Sequence, residues 1–209
     1  MASSALATAR GEVEVLVGVD RQEDVKAYAA DRGYRFFVYP DGVGVSRVWN
    51  GLARDALGDL LLMGNDDQAY VTPGWDLRFA EEAARFPDGV FVAWCDDGIN
   101  GGRHAAFPCV SREWYEELGY FVPEGRFAFF RHDTWLYDIG HRLGRLAYIP
   151  DVFVRHSHWT VGGIEDSTTK ANRNADQGTA DQRAWVATEH LRIADAGKLR
   201  TLMASEVTA

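Results

Sequence analysis

Leu60-Leu61-Leu62-Met63-Gly64-Asn65-Asp66-Asp67 runs from four apolar residues straight into a glycine and three oxygen-bearing side chains. A short unbroken apolar run bounded by turn residues fits a strand buried on both faces, and Gly-Asn-Asp-Asp after it must be loop. Adjacent carboxylates repel one another. A hard divalent cation such as Mg²⁺ or Mn²⁺ relieves that repulsion because it prefers oxygen ligands, and it can then bridge to phosphate. The same residues read alternatively as a polar turn that caps the next segment.

Upstream of this stretch, Val13 to Val19 reads as a strand ending at Asp20, Gln22 to Asp31 as a helix stopped by Gly33, and Tyr34 to Tyr39 as a second strand. Ser46 is placed to cap a helix whose apolar face is Val48, Leu52 and Ala56. Downstream, Pro73-Gly74 makes a turn and Asp76 starts a helix to about Phe86. Val90 to Cys95 is a strand, Asp96 to Arg103 a polar loop, Ala105 to Val110 a further strand, and Ser111 caps a short helix to Gly119. A helix over His132 to Leu143 precedes strands at Leu146 to Ile149 and Val152 to His156. Thr160 to Thr179 is polar, and a last helix covers about Ala180 to Ala194. This alternation predicts a single α/β domain with a mostly parallel sheet flanked by helices. The expected organisation is an extension over 1–12, the domain over 13–159, and a polar loop and helix over 160–209. In such sheets ligands bind beyond the carboxyl ends of the strands, so Asp20 and Asn65-Asp66-Asp67 are expected on one rim.

The 209 residues suffice for one hydrophobic core, with 46% hydrophobic and 25% charged residues. With 22 basic against 31 acidic residues the net charge is −9, which disfavours a bare phosphate backbone as partner unless a local basic patch opposes it. A divalent cation would neutralise an anionic nucleotide at such a surface. Cys95 and Cys109 both lie in apolar runs and read as buried thiols of a reducing compartment. No window is long and apolar enough to span a membrane, and Met1 to Arg10 does not read as a signal peptide, so the expectation is a cytoplasmic protein.

Three further places carry chemistry. In Val152-Phe153-Val154-Arg155-His156-Ser157-His158-Trp159 the two histidines point to one side of an extended chain, where they can share a metal or sit as ordinary surface histidines. Asp133, in Phe129-Phe130-Arg131-His132-Asp133-Thr134-Trp135, either caps the helix it begins or serves as a general base. Asp97, after the fourth strand, reads as an acceptor contact or as a turn residue, and Trp75 and Trp159 as stacking platforms or as core.

The order of these parts resembles the nucleotide-diphospho-sugar transferases of GT-A fold, especially family 2 glycosyltransferases and their short phage-type relatives. Gly44 to Asp67 is similar to that family's helix with a central Asn50 and its strand into a DxD-type motif. Val71-Thr72-Pro73-Gly74-Trp75-Asp76 is similar to the segment that follows in phage-type members, His132-Asp133 falls where the family carries its base motif, and Gly144 to His158 resembles its closing strand. The resemblance spans Val13 to Trp159. It implies that Asp67, with His158 or His156, holds Mn²⁺ or Mg²⁺, that Asn50, Asn65 and Asp66 belong to the nucleotide-sugar site, with Asn65 and Asp66 near ribose and diphosphate, that Asp20 lies near the base, and that Asp133 deprotonates the acceptor. It further implies an inverting transfer from a nucleotide sugar, a UDP-sugar first of all, to an acceptor such as a hydroxymethylated pyrimidine in phage DNA. In that case the chain would work in a host cytoplasm; Arg103, Arg112, Arg126 and Arg131 clustered at one rim would favour such a DNA acceptor, and scattered they would disfavour it. A non-catalytic module of the same fold, binding a sugar or a nucleotide sugar, is the alternative.

Overall fold

The computed structural model describes residues 1–19, 34–40, 42–158, 161 and 175–206. Asp20, Trp159 and the helix expected over Gln22 to Asp31 lie outside the described residues. In chain order the elements are α1 (Ala2–Thr8), β1 (Leu16–Val19), β2 (Arg35–Val38), α2 (Val45–Asp55), β3 (Leu60–Leu62), β4 (Gln68–Tyr70), α3 (Trp75–Ala83), β5 (Val92–Asp96), β6 (Cys109–Ser111), α4 (Arg112–Leu118), α5 (His132–Leu143), β7 (Leu146–His156), α6 (Ala175–Ala187) and α7 (Glu189–Glu206).

The main sheet has five strands in the order β3-β6-β5-β7-β4, and β1 and β2 form a separate parallel pair. The main sheet is mixed, which corrects the expectation of a mostly parallel one. β5 and β7 are parallel, whereas β3–β6, β5–β6 and β4–β7 are antiparallel. The physical reason lies in the connections. A parallel return needs a crossover of a dozen or more residues, usually helical, whereas the loop from β5 to β6 holds only a 3-10 turn at Gly101–Arg103. β6 therefore folds back antiparallel and wedges between β3 and β5.

Two reversals restore the direction, so β3, β5 and β7 all run the same way. Their carboxyl ends meet at one edge, bringing Asn65-Asp66-Asp67, Asp96-Asp97 and His156-Ser157-His158 together. β4 then pairs beside this edge, with Gln68 opposite His156.

Alternation along β5 builds a core on each face. Val92 and Trp94 join Trp114, Trp135, Leu136, Ile139 and Leu199 on one side, while Ala93 and Cys95 join Trp75, Phe79, Ile149 and Val154 on the other. Both ends of the chain pack into these cores: Leu199 of α7 is fully buried, and Trp75 Nε1 donates to the Ala5 carbonyl of α1 at 3.1 Å. Trp75 is thus a packing residue. Cys95 and Cys109 are free buried thiols, and burial pushes the Cys95 pKa up to about 12. The seating of α5 depends on Gly140, where a Cβ would stand 2.8 Å from Val92 Cγ2. An apolar cleft of about 430 Å³ lies between the Gly11 to Leu16 segment and β3, with Trp49, Leu52, Trp75 and Phe79 in its wall. Among the described residues, no helix is long and apolar enough to cross a membrane.

Candidate active site

His156 ends β7 between two carboxylates. Its Nε2 lies 3.1 Å from Asp67 Oδ2 and its Nδ1 lies 3.4 Å from Asp97 Oδ2. A carboxylate only accepts, so the ring must donate from both nitrogens, which makes it an imidazolium. Burial alone would lower its pKa, but the hydrogen bonds and charges of Asp67 and Asp97 push it up to about 9. Phe107 packs edge-on against the same ring, with centroids 4.8 Å apart.

Asp97 is 3% exposed. Burial would raise its pKa. The His156 bond, the Asn100 N–H and side-chain amide, and the Ile99 N–H outweigh that and hold it well below the ordinary carboxylate range. Its oxygens are therefore committed to the loop after β5 and to His156. A pocket of about 320 Å³ opens beside this pair, with Gly98, Ile99, Phe153, Arg155, Ser157 and Val161 in its wall.

Asp67 is different. Its Oδ2 meets His156, its carbonyl accepts the Ser157 N–H at 2.8 Å, and its Oδ1 is buried with no hydrogen-bond partner. A buried carboxylate oxygen without a donor fits a cation as its missing partner. His158 stands edge-on to His156 with ring centroids 5.1 Å apart. Burial, and next the charge on His156, lower the His158 pKa. His156 has both nitrogens engaged, by Asp67 and by Asp97. Among the described residues no three His, Cys, Asp or Glu side chains form a ready-made metal cage.

The loop that supplies Asp97 continues to His104, whose Nε2 donates to Asp133 Oδ2 at 2.8 Å. One connection thus ties the strand-end cluster to Asp133 at the start of α5. Asp133 Oδ1 accepts the Thr134 N–H at 2.6 Å, and the side chain remains 31% exposed. Preceding it, His132 is buried with Nε2 lacking a partner and Nδ1 donating to the Phe129 carbonyl at 3.2 Å. Burial first of all lowers its pKa, against the pull of Asp133 and Asp181. His104, Gln68 and Asp181 escaped the sequence reading. Each acts by position alone, and no motif marks them.

Of the other expected residues, Asn50 and Arg112 lie apart from this cluster, and Asn65 and Asp66 lie in its loop. Asn50, buried in α2, accepts from the Phe121 and Val122 N–H groups and donates to the Val122 carbonyl. Its amide is spent on the chain itself. The Asn65 N–H donates to Gln68 Oε1 at 2.7 Å, which turns the loop, while the Asn65 and Asp66 side chains remain at the rim. Arg112 donates to the Ala56 and Gly58 carbonyls at the start of β3, the end opposite the acidic loop, so the four arginines do not form one patch.

No protein-family model matches the sequence, and no curated protein does. Solved structures do match. The mannosyltransferase PcManGT from Pyrobaculum calidifontis, in complex with GDP-Man and Mn²⁺, is similar at a TM-score of 0.50 and 16% identity. The match covers 94% of this chain and 66% of that one, so the chain spans just under two thirds of that enzyme's length. A putative glucose-1-phosphate thymidylyltransferase from Bacillus anthracis, in complex with a sucrose, matches at a TM-score of 0.49 and 12% identity, covering 80% of this chain and 79% of that one. At these identities the likeness to the mannosyltransferase is one of fold.

Proposed function

We propose that the chain is a divalent-cation-dependent glycosyltransferase of GT-A type, moving a sugar from a nucleoside-diphosphate sugar to an acceptor hydroxyl. One observation carries this reading: the buried, partnerless Asp67 Oδ1 sits where three strand ends converge, a position suited to a cation and not to a polar turn. The fold likeness to an enzyme solved with GDP-Man and Mn²⁺ supports it. In this reading Asp67 and His158 hold the cation, and His156 fixes the Asp67 carboxylate. Asn65 and Asp66 face the ribose and diphosphate. Asp20 and Trp159, outside the described residues, are the candidates for the nucleotide base and the acceptor, and Asp97 acts on the acceptor side through His156 and the pocket wall.

A bound divalent cation supplies positive charge to the departing diphosphate. Asp133, oriented by the His104 N–H, takes the proton of the acceptor hydroxyl. That oxygen forms its bond to the anomeric carbon as the bond from carbon to phosphate oxygen breaks, and the electron pair leaves on the nucleoside diphosphate. A single displacement inverts the anomeric centre. A hydroxymethylated pyrimidine remains one acceptor to try, with no assembled arginine patch to favour DNA.

The test is product analysis with UDP- and GDP-sugars, Mn²⁺ and a panel of hydroxyl acceptors. Release of nucleoside diphosphate, lost in Asp133→Asn, supports the proposal. Release of pyrophosphate contradicts it, and metal-dependent binding without turnover would leave a sugar-nucleotide binding module.

A further inference from the structure

Asp181 in α6 is a carboxylate with 3% exposure, far in sequence from the acidic loop. Its Oδ1 accepts the Ala128 N–H at 2.9 Å, and its Oδ2 accepts those of Phe129 at 3.1 Å and Phe130 at 2.8 Å. Three successive backbone donors converge on one side chain, and they belong to the turn that leads into α5. Burial would raise the Asp181 pKa, but these three N–H groups lower it, so the charge persists.

The next residue, Arg131, has φ of +81°, the one non-glycine with positive φ among the described residues. A left-handed arginine is strained and persists where its surroundings enforce it. Here α6 does so twice more: Arg131 Nη2 donates to Gln182 Oε1 at 2.5 Å, and its guanidinium lies 5.8 Å from the Trp185 ring centroid. Trp185 is in turn stacked under the Arg192 guanidinium of α7, at 3.5 Å. Immediately after Arg131 come His132 and Asp133.

We propose that Asp181 is a positioning residue for the base. By fixing the N–H groups of Ala128 to Phe130 it imposes the strained Arg131 turn, and that turn aims Asp133 at its partner His104. The C-terminal helices are then a clamp on the active site as well as a cover for the core. This rests on the assignment of Asp133 as base.

The experiment compares wild type with Asp181→Asn, which keeps one acceptor oxygen and loses the charge. Gln182→Ala, an exposed change that releases only Arg131, serves as the milder variant should Asp181→Asn fail to fold. Glu189→Ala serves as control, because it removes a contact from Glu189 to Arg142 of α5 without touching the turn. Three readouts are taken on folded protein: amide exchange at 128–130, steady-state kinetics with the nucleotide sugar found active, and the His104 ring-proton resonances. We expect faster exchange, kcat lower by roughly ten- to a hundredfold with donor KM within about twofold, and a His104 shift in the direction produced by Asp133→Asn. Gln182→Ala should move the same way by less, and Glu189→Ala should not move. Faster exchange with wild-type kcat and wild-type His104 resonances overturns the proposal. If no nucleotide sugar turns over in wild type, the transferase reading fails on its own. The positioning claim is then decided by the His104 resonances, kept by a shift and lost without one.

Discussion

His156 Nε2 lies 3.1 Å from Asp67 Oδ2, joining the last residue of β7 to the loop after β3. Because Nδ1 of the same ring reaches Asp97, one imidazolium closes the gap between the ends of three co-directional strands. It holds Asp67 by one oxygen and leaves the other buried and without a donor.

Cation affinity should therefore depend on His156 although it is not itself placed as a ligand. Groups that orient a metal ligand typically contribute 10- to 100-fold in affinity. We expect His156→Gln to weaken Mn²⁺ binding by about that factor, measured by calorimetry with a nucleoside diphosphate present. Wild-type affinity in this variant would assign His156 no part in holding Asp67.

Asp133→Asn retains the shape of the α5 start and removes the proposed proton acceptor. General-base groups contribute about 10²- to 10⁴-fold. We expect kcat to fall within that range while donor affinity stays within about twofold. A variant with full turnover would show that the proton goes elsewhere.

His132 gives the fold a dependence on acid. Its folded pKa is lowered from 6.5, chiefly by burial, so around that pH the unfolded chain binds more protons and stability rises with pH. The contribution is complete above pH 6.5 and is lost as pH falls below it toward the folded pKa. His132→Phe, in the aromatic surroundings of Trp49 and Phe127, removes the titration. The difference in Tm between variant and wild type should move in the variant's favour by a few degrees between pH 7.5 and pH 5. A constant difference would mean that His132 is protonated in the fold without penalty.

Asn50 should prove a residue of stability. Asn50→Ala leaves the Phe121 and Val122 N–H groups and the Val122 carbonyl without their side-chain partners. Orphaned buried groups cost about 1–3 kcal/mol each, partly recovered by relaxation, so a loss of roughly 2–4 kcal/mol is expected in chemical denaturation. Donor affinity measured on the folded fraction should not change. A donor affinity that falls with unchanged stability would restore Asn50 to the nucleotide site.

The sequence was most legible where a side-chain period or a turn was strong. The helix expected over His132 to Leu143 is the helix found, and Ser111 caps α4 by accepting the Trp114 N–H. Asp67, Asp97 and His156 were each singled out from their own strand ends, and the structure brings the three together. Their mutual contacts were not legible, because strand order and direction are set by long-range pairing. The insertion of β6 between β3 and β5 leaves no local trace, since an antiparallel and a parallel strand share the same two-residue period. β4, with three residues, is too short to show a period at all. Leu146 to His156 was divided at Pro150-Asp151, a turn signal that β7 absorbs as an irregularity facing the Cys95-Asp96 bulge. The contacts of Asn50 with Phe121 and Val122 were likewise not legible, because a buried asparagine that holds a loop and one that holds a ligand read alike in sequence.

The most direct measurement is the thermal midpoint of the wild-type protein and of Asp67→Asn with GDP-mannose and UDP-sugars, in Mn²⁺ and then in excess chelator. A ligand that binds only the folded state stabilises it by about 2.7 kcal/mol at a hundredfold excess over Kd. We predict a rise of several degrees for wild type with at least one donor, abolished by chelator and by Asp67→Asn. A rise that survives both, or no rise with any donor, would contradict a cation site at Asp67.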